Sequence, residues 1–142
     1  MTSSQRRERI VVGVDGSPAS LLALGWASRQ AALTDADLDV VHAWQVPSAY
    51  GMVPAGDDWE QRDRAELDRA VHDTLSAADS ARVHVRQLRG HPAEALLEAA
   101  ADADLLVVGS RGRGGFTGMM LGSVSQQLVV HAQCPVVVLH TK

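Results

Sequence analysis

The stretch LLVVGSRGRGGFTGMMLGSVS, residues 105–125, sets an apolar run, Leu105 to Val108, directly ahead of a glycine-rich segment that closes on Gly122 and Ser123. This reads as a strand, a glycine-rich loop and a helix start, the layout in which a backbone holds phosphate. At a helix N-terminus the first N–H groups lack intrahelical partners and the dipole end is positive, so an anion is stabilised there. Glycines at 109, 112, 114, 115, 118 and 122 permit positive φ and close approach of backbone to a ligand, as an anion nest requires. Ser123 is placed to cap the helix, to donate its hydroxyl to phosphate, or both. The same spacing also fits a flexible loop followed by a capped helix, and a short motif alone does not choose between the two.

Two better-known glycine motifs are excluded. A Walker loop needs Lys before its Ser or Thr, and residues 109–123 contain no Lys. A dinucleotide fingerprint needs G-x-G-x-x-G after the first strand, whereas Gly112 and Gly114 are followed by Thr117 where the third glycine belongs, and the loop follows a late strand.

Working outward, Ile10 to Val14 is a short apolar run, and Asp15-Gly16-Ser17-Pro18 supplies an N-cap residue with Pro at the first helical position. Leu21, Leu22, Leu24, Trp26, Ala27 and Ala31 recur at helical spacing between Ala19 and Leu33. Leu38 to Ala43 is a second strand, and Trp44 to Asp58, with its prolines and glycines, reads as a loop. Trp59 to Ala78 is an amphipathic helix carrying Leu67, Ala70, Val71 and Leu75, and Val83 to Leu88 alternates as an edge strand does. Gly90-His91-Pro92 opens a helix over Ala93 to Ala101, Leu105 to Val108 is the fourth strand, Val124 to His131 the next helix and Val136 to His140 the fifth strand. Alternating strands and helices require parallel pairing with right-handed crossovers and helices on both faces, a doubly wound, Rossmann-like α/β sheet. In such a sheet ligands bind beyond the carboxyl ends of strands where the strand order reverses. Asp15 ends the first strand and Gly109 the fourth, so the two face one crevice if those strands are neighbours.

A chain of 142 residues fits one domain, read here as 9–142 behind a flexible tail, 1–8. Net charge is −4 with both signs interspersed, so no basic stripe of the kind that binds nucleic acid is present, and the cluster Gln5-Arg6-Arg7-Glu8-Arg9 reads as solvated tail. The single cysteine, Cys134, forms no internal disulfide, and the N-terminus has no apolar signal-peptide segment, so a cytoplasmic location is expected. Apolar runs stop far short of the eighteen or so residues of a membrane span, which predicts a chain without membrane contact.

With these segments in place the chain resembles the universal stress protein family (UspA-like domains), in the subgroup that binds ATP. Gly109, Gly112, Gly122 and Ser123 match every fixed position of the family pattern G-x2-G-x9-G-[ST]. The resemblance runs from Ile10 to His140 and takes in V-x-V-D-G-S from Val12 to Ser17, Val41-His42-Ala43, Gly90-x-Pro92 and Cys134-Pro135-Val136-Val137-Val138. It implies a five-stranded sheet in the order 3-2-1-4-5, ATP with Mg²⁺ or Mn²⁺ in the crevice, and a homodimer built on the Val136 to His140 strand. Carried over by position, Gly13 and Val14 lie beside the base and Ala43 accepts adenine through backbone groups. Val108, Gly109, Arg111 and Gly112 line the ribose and α-phosphate, and Gly122, Ser123, Val124 and Ser125 hold the outer phosphates. Asp15 is the acidic residue near ribose and metal; a carboxylate beside triphosphate needs a hydroxyl donor or a divalent cation between them, and Mg²⁺ suits because it takes few carboxylates. Read without the family, Asp15 also serves as a cap for the next helix.

Other residues carry plainer expectations. The histidines at 42, 72, 84, 91, 131 and 140 show no zinc-ligand spacing and are read as structural or exposed. Cys134 has no local base and reads as a small packed residue. Met119, Met120 and Leu121 cover either the ligand or the space beneath the loop, and Val136 to Leu139, apolar throughout, reads as a strand buried on both faces, needing cover if it is an edge. The expected function is a nucleotide-responsive regulatory dimer in stress response. The alternatives are a slow ATPase or self-phosphorylating protein using Ser110, Ser123 or Ser125, a cyclic AMP binder, and a nucleotide-free dimerisation module. A phosphoacceptor receiver is excluded because Leu88-Arg89-Gly90 stands where an Asp would end the third strand.

Overall fold

The computed structural model describes residues 7–44, 56–111 and 122–141. The elements are β1 (Arg9–Gly13), α1 (Pro18–Thr34), β2 (Asp37–Trp44), α2 (Gly56–Thr74), α3 (Ala77–Ser80), β3 (Val83–Arg89), α4 (Pro92–Ala99), β4 (Leu105–Gly109), α5 (Ser123–His131) and β5 (Val136–Leu139). All strand pairs are parallel, and the sheet order is β3-β2-β1-β4-β5, as the resemblance implies.

Strand alternation makes the sheet two-faced. Ile10, Val12 and Val40 pack with Leu24, Ala27 and Ala31 of α1 and with Leu67 and Val71 of α2. Val11, Val41, Leu106 and Val108 pack on the other face with Leu96 and Ala99 of α4 and Leu128 of α5. Full burial of a Val stabilises by about 1.5–3 kcal/mol, so these central strands carry much of the core. α1 lies close to the sheet because its inward stripe is Ala19, Ala23, Ala27 and Ala31, all buried. Leu24 adds bulk to that inward face, whereas Leu22, grouped with the apolar face by spacing, is half exposed.

Five sequence expectations change. The loop read over Trp44 to Asp58 loses both ends, since Trp44 closes β2 and Gly56 opens α2, and residues 45–55 lie outside the described residues. The helix predicted over Trp59 to Ala78 is two helices, because Ser76 turns extended (φ −64°, ψ 163°) and accepts the Asp79 N–H at 3.1 Å, opening α3. Arg9, read as solvated tail, begins β1: its guanidinium bonds Asp39 (2.8 Å), Asp102 (2.7 Å) and the Ala99 carbonyl (3.1 Å), and the Glu8 carbonyl accepts the Asp37 N–H. The residues of β5 are partly rather than fully buried, because β5 is an edge strand with β4 on one side. His140, expected within the fifth strand, falls just past its end. Among the described residues no helix is long and apolar enough to cross a membrane.

The chain leaves β1 for β2 on one side of the sheet and later fills β4 on the other, so β1 and β4 are neighbours and the connections diverge above their carboxyl ends.

Candidate functional site

The turn after β1 is built from short polar side chains. Gly16 has φ +85°, the left-handed region where glycine carries no Cβ penalty. Ser17 caps α1 by accepting the Ser20 N–H (3.3 Å), with Pro18 at the first helical position. Asp15 does not cap the helix: its Oδ1 accepts the Ser17 N–H (2.9 Å), and its own N–H donates to Ser20 Oγ (3.2 Å). The carboxylate is thereby held at the carboxyl end of β1.

The turn after β4 meets it. The Ser17 hydroxyl donates to the Arg111 carbonyl at 3.4 Å, and the Ser110 N–H donates to the Leu139 carbonyl at 2.7 Å. On the far side of the loop the Gly122 N–H returns to the Ser110 carbonyl at 2.7 Å, bringing the N-terminus of α5 back over the end of β4. The first-turn N–H groups of Ser123, Val124 and Ser125 precede the first intrahelical donor, the Gln126 N–H bonded to the Gly122 carbonyl, and form the positive end of the helix.

Three glycine-loop expectations need correction. Gly122, not Ser123, is the N-cap of α5, with φ −67° and no side-chain bond; Ser123 is the first helical residue and is exposed. The Ser125 hydroxyl is buried and donates to the Gly109 carbonyl at 2.6 Å, so toward an acceptor-only phosphate this residue offers its N–H and not its hydroxyl. Gly109 lies in β4, and a Cβ on it would come within 2.6 Å of the Ala19 carbonyl carbon and 2.8 Å of Ser20 N, so its glycine serves the close approach of α1 rather than positive φ.

These pieces surround a cavity of about 380 Å³, within the range of small-molecule pockets. Gly13, Val14, Asp15, Ala43, Val108, Gly109, Arg111, Gly122, Ser123, Val124 and Ser125 all line it. Gly112, together with Met119, Met120 and Leu121, lies outside the described residues. Of the serines considered for self-phosphorylation, Ser110 is buried and absent from the lining, and Ser123 alone presents an exposed side chain to it.

Sequence reasoning missed Ser20, Val41, His42, Pro92 and Leu96, which also line the cavity. Leu96 and Pro92 arrive from α4, and the apolar periodicity of that helix was the signal available for Leu96. His42 braces the rim: Nδ1 meets the Val14 carbonyl at 2.7 Å and Nε2 meets Asp63 Oδ1 at 3.0 Å. The carbonyl only accepts, so Nδ1 carries a hydrogen. Gln87 donates to the second Asp63 oxygen at 2.6 Å, tying the ends of β2 and β3 to α2. His42 thus both lines the cavity and braces its rim.

Cys134 packs against the α4 and α5 face of the sheet. Burial pushes its thiol above the ordinary range, and the Asp104 carboxylate adds to the shift. Little thiolate forms at neutral pH, so alkylation by iodoacetamide is expected to run several-fold more slowly than for a free cysteine, read by mass spectrometry. With the folded-state value raised, its contribution to stability is complete below the ordinary thiol value and is lost as pH rises through the alkaline range, a loss that Cys134→Ala removes.

Sheet order, a crevice at the switch point and a helix N-terminus above it define a doubly wound α/β domain with a concave site. The universal stress protein family model matches residues 6–140, and the chain belongs to that family. It is 40% identical over 136 residues to a universal stress protein of Mycolicibacterium smegmatis, covering 94% of this chain and 46% of that one. A universal stress protein of Mycobacterium tuberculosis is 36% identical over 155 residues, 99% of this chain and 50% of its own. The chain therefore spans about half the length of these mycobacterial relatives. Among solved structures, the universal stress protein UspA of Lactobacillus plantarum superposes with a TM-score of 0.78 at 25% identity, covering 96% of this chain and 99% of that one. A universal stress protein solved in complex with cAMP gives 0.69 at 34% identity, covering 95% and 98%.

Proposed function

We propose that this chain binds ATP with a divalent cation in the crevice between β1 and β4, and that occupancy stabilises a homodimer read by other stress-response components. The observation that carries the reading is the convergence on one cavity of the Asp15 turn, Arg111 and the N-terminus of α5. The end nearest Val41, Ala43 and Leu96 is apolar and suits a base, and the end nearest Arg111 and the first turn of α5 suits phosphates. Asp15 is the one carboxylate in the cavity wall among the described residues. A single carboxylate fits Mg²⁺ or Mn²⁺ that arrives with phosphate oxygens, and it does not fit an ion caged by protein alone. Such an ion neutralises the phosphates that would otherwise repel Asp15. For the dimer, β5 offers an apolar edge with β4 on one side, and a second copy pairing along it by two-fold symmetry covers both edges at once.

Cyclic AMP is the second reading, favoured by the 34% identical relative solved with that ligand. Fast hydrolysis is not part of either. Phosphoryl transfer needs charge neutralisation and a group that orients the nucleophile; the wall supplies Arg111 and Asp15, and its one histidine, His42, already spends both ring nitrogens on the Val14 carbonyl and Asp63.

Calorimetric titration with ATP, ADP and cyclic AMP, with and without Mg²⁺, is the test. Roughly micromolar binding of ATP, strengthened by Mg²⁺ and losing that strengthening in Asp15→Ala, is the expected result. Heat from cyclic AMP alone selects the second reading, and no heat from any of the three removes both. ATP turnover that disappears in Asp15→Ala would instead make the protein an enzyme.

A further inference from the structure

Arg111 is the one Lys or Arg in the cavity wall among the described residues. Its backbone is seated by two neighbours: the preceding N–H, of Ser110, extends the β4–β5 ladder to the Leu139 carbonyl, and the Ser17 hydroxyl donates to the Arg111 carbonyl. Its side chain has a further tie. The guanidinium donates to Thr141 Oγ1 at 3.1 Å, across thirty positions of sequence and two residues beyond the end of β5.

We propose that Thr141 is the positioning residue that aims Arg111 at the ligand's phosphates, so that the segment after β5 sets the preference for phosphorylated over unphosphorylated nucleoside. The inference rests on the nucleotide reading of the cavity. A hydroxyl oxygen accepts one of the five guanidinium donors without cancelling the charge, whereas a carboxylate in the same place would compete with phosphate. The fork is planar, so fixing one N–H fixes the directions of the rest, and a long side chain already ordered loses less freedom when phosphate arrives. Adenosine makes no use of that charge. The effect of Thr141 is therefore selective for phosphate, which a purely structural role for this residue is not.

The experiment is calorimetry with ATP, AMP and adenosine, each in Mg²⁺, on the parent, Thr141→Val, Thr141→Ser, Arg111→Met and the double variant Thr141→Val with Arg111→Met. Valine keeps the shape and removes the acceptor. Thr141→Val is expected to weaken ATP about tenfold, the scale of a charge-assisted hydrogen bond, and to leave adenosine within about twofold. Thr141→Ser restores ATP affinity, and Thr141→Val adds nothing in the Arg111→Met background. An equal loss for ATP and adenosine, or a full additional loss without Arg111, overturns this inference while leaving the nucleotide reading standing. No binding of any ligand by the parent overturns the nucleotide reading and this inference with it.

Discussion

Gly109→Ala is expected to lower stability by about 3 kcal/mol, a fall in Tm on the order of 10 °C, and to abolish ligand binding with it. The added methyl would lie 2.6 Å from the Ala19 carbonyl carbon, 2.7 Å from Ala19 Cβ and 2.8 Å from Ser20 N. None of these atoms belongs to a side chain that can rotate away, so relief requires the N-terminal turn of α1 to lift from β4. That turn holds Ser17, which caps α1 and bonds Arg111, and Ser20, which bonds the Asp15 backbone. The strain therefore spreads into both sides of the crevice. Gly13→Ala is the control. There the methyl would meet Leu96 Cδ1 at 2.9 Å and Cδ2 at 3.1 Å, the far end of a flexible side chain, and the cost is expected to stay near 1 kcal/mol. Urea unfolding of the two variants checks the contrast, and equal costs would refute the packing account of Gly109.

Gly109 also shows what the sequence made legible and what it did not. The spacing of Gly109, Gly122 and Asp15 marks the crevice because each stands at an element boundary, and local signals report boundaries well: apolar runs end, caps begin, glycine breaks the pattern. The physical reason for Gly109 is a contact with α1, ninety residues away in sequence, which spacing does not register. Spacing does not assign Leu96, Pro92 and His42 to the cavity for the same reason, since neighbouring elements bring them there through tertiary packing. Alternation and helical periodicity were enough for the doubly wound class, and the strand order came from the family resemblance. Propensity failed where a side chain outbid it: Ser76 splits one amphipathic helix into two, and Asp39 draws Arg9 out of a charged run into β1. Ser125 is the subtlest case. The motif places it at the ligand, yet its hydroxyl is committed to the Gly109 carbonyl and locks α5 to β4.

Gly122→Glu separates the phosphate seat from the fold. Gly122 has φ −67° and ψ 164°, a conformation that any residue adopts, and its backbone bonds, N–H to Ser110 and carbonyl to Gln126, survive substitution. A carboxylate at the start of α5 even interacts favourably with the helix dipole, so stability is expected to stay within about 1 kcal/mol of the parent. Binding responds in the opposite direction for the same reason. The new carboxylate takes the positive potential that a phosphate would use, and it repels what remains: two unit charges 4 Å apart near a protein surface cost about 4 kcal/mol, against about 1.4 kcal/mol per tenfold in affinity. Allowing for rotation of the Glu side chain toward solvent, a loss of at least about a hundredfold for ATP is expected, with a smaller loss for singly charged cyclic AMP and little for adenosine. Gly122→Ala, which adds bulk without charge, should keep ATP within about tenfold. The graded order decides the matter. A loss that scales with ligand charge requires phosphates at the N-terminus of α5, whereas an equal loss for adenosine would mean that residue 122 borders the base and that the ligand lies in the crevice the other way round.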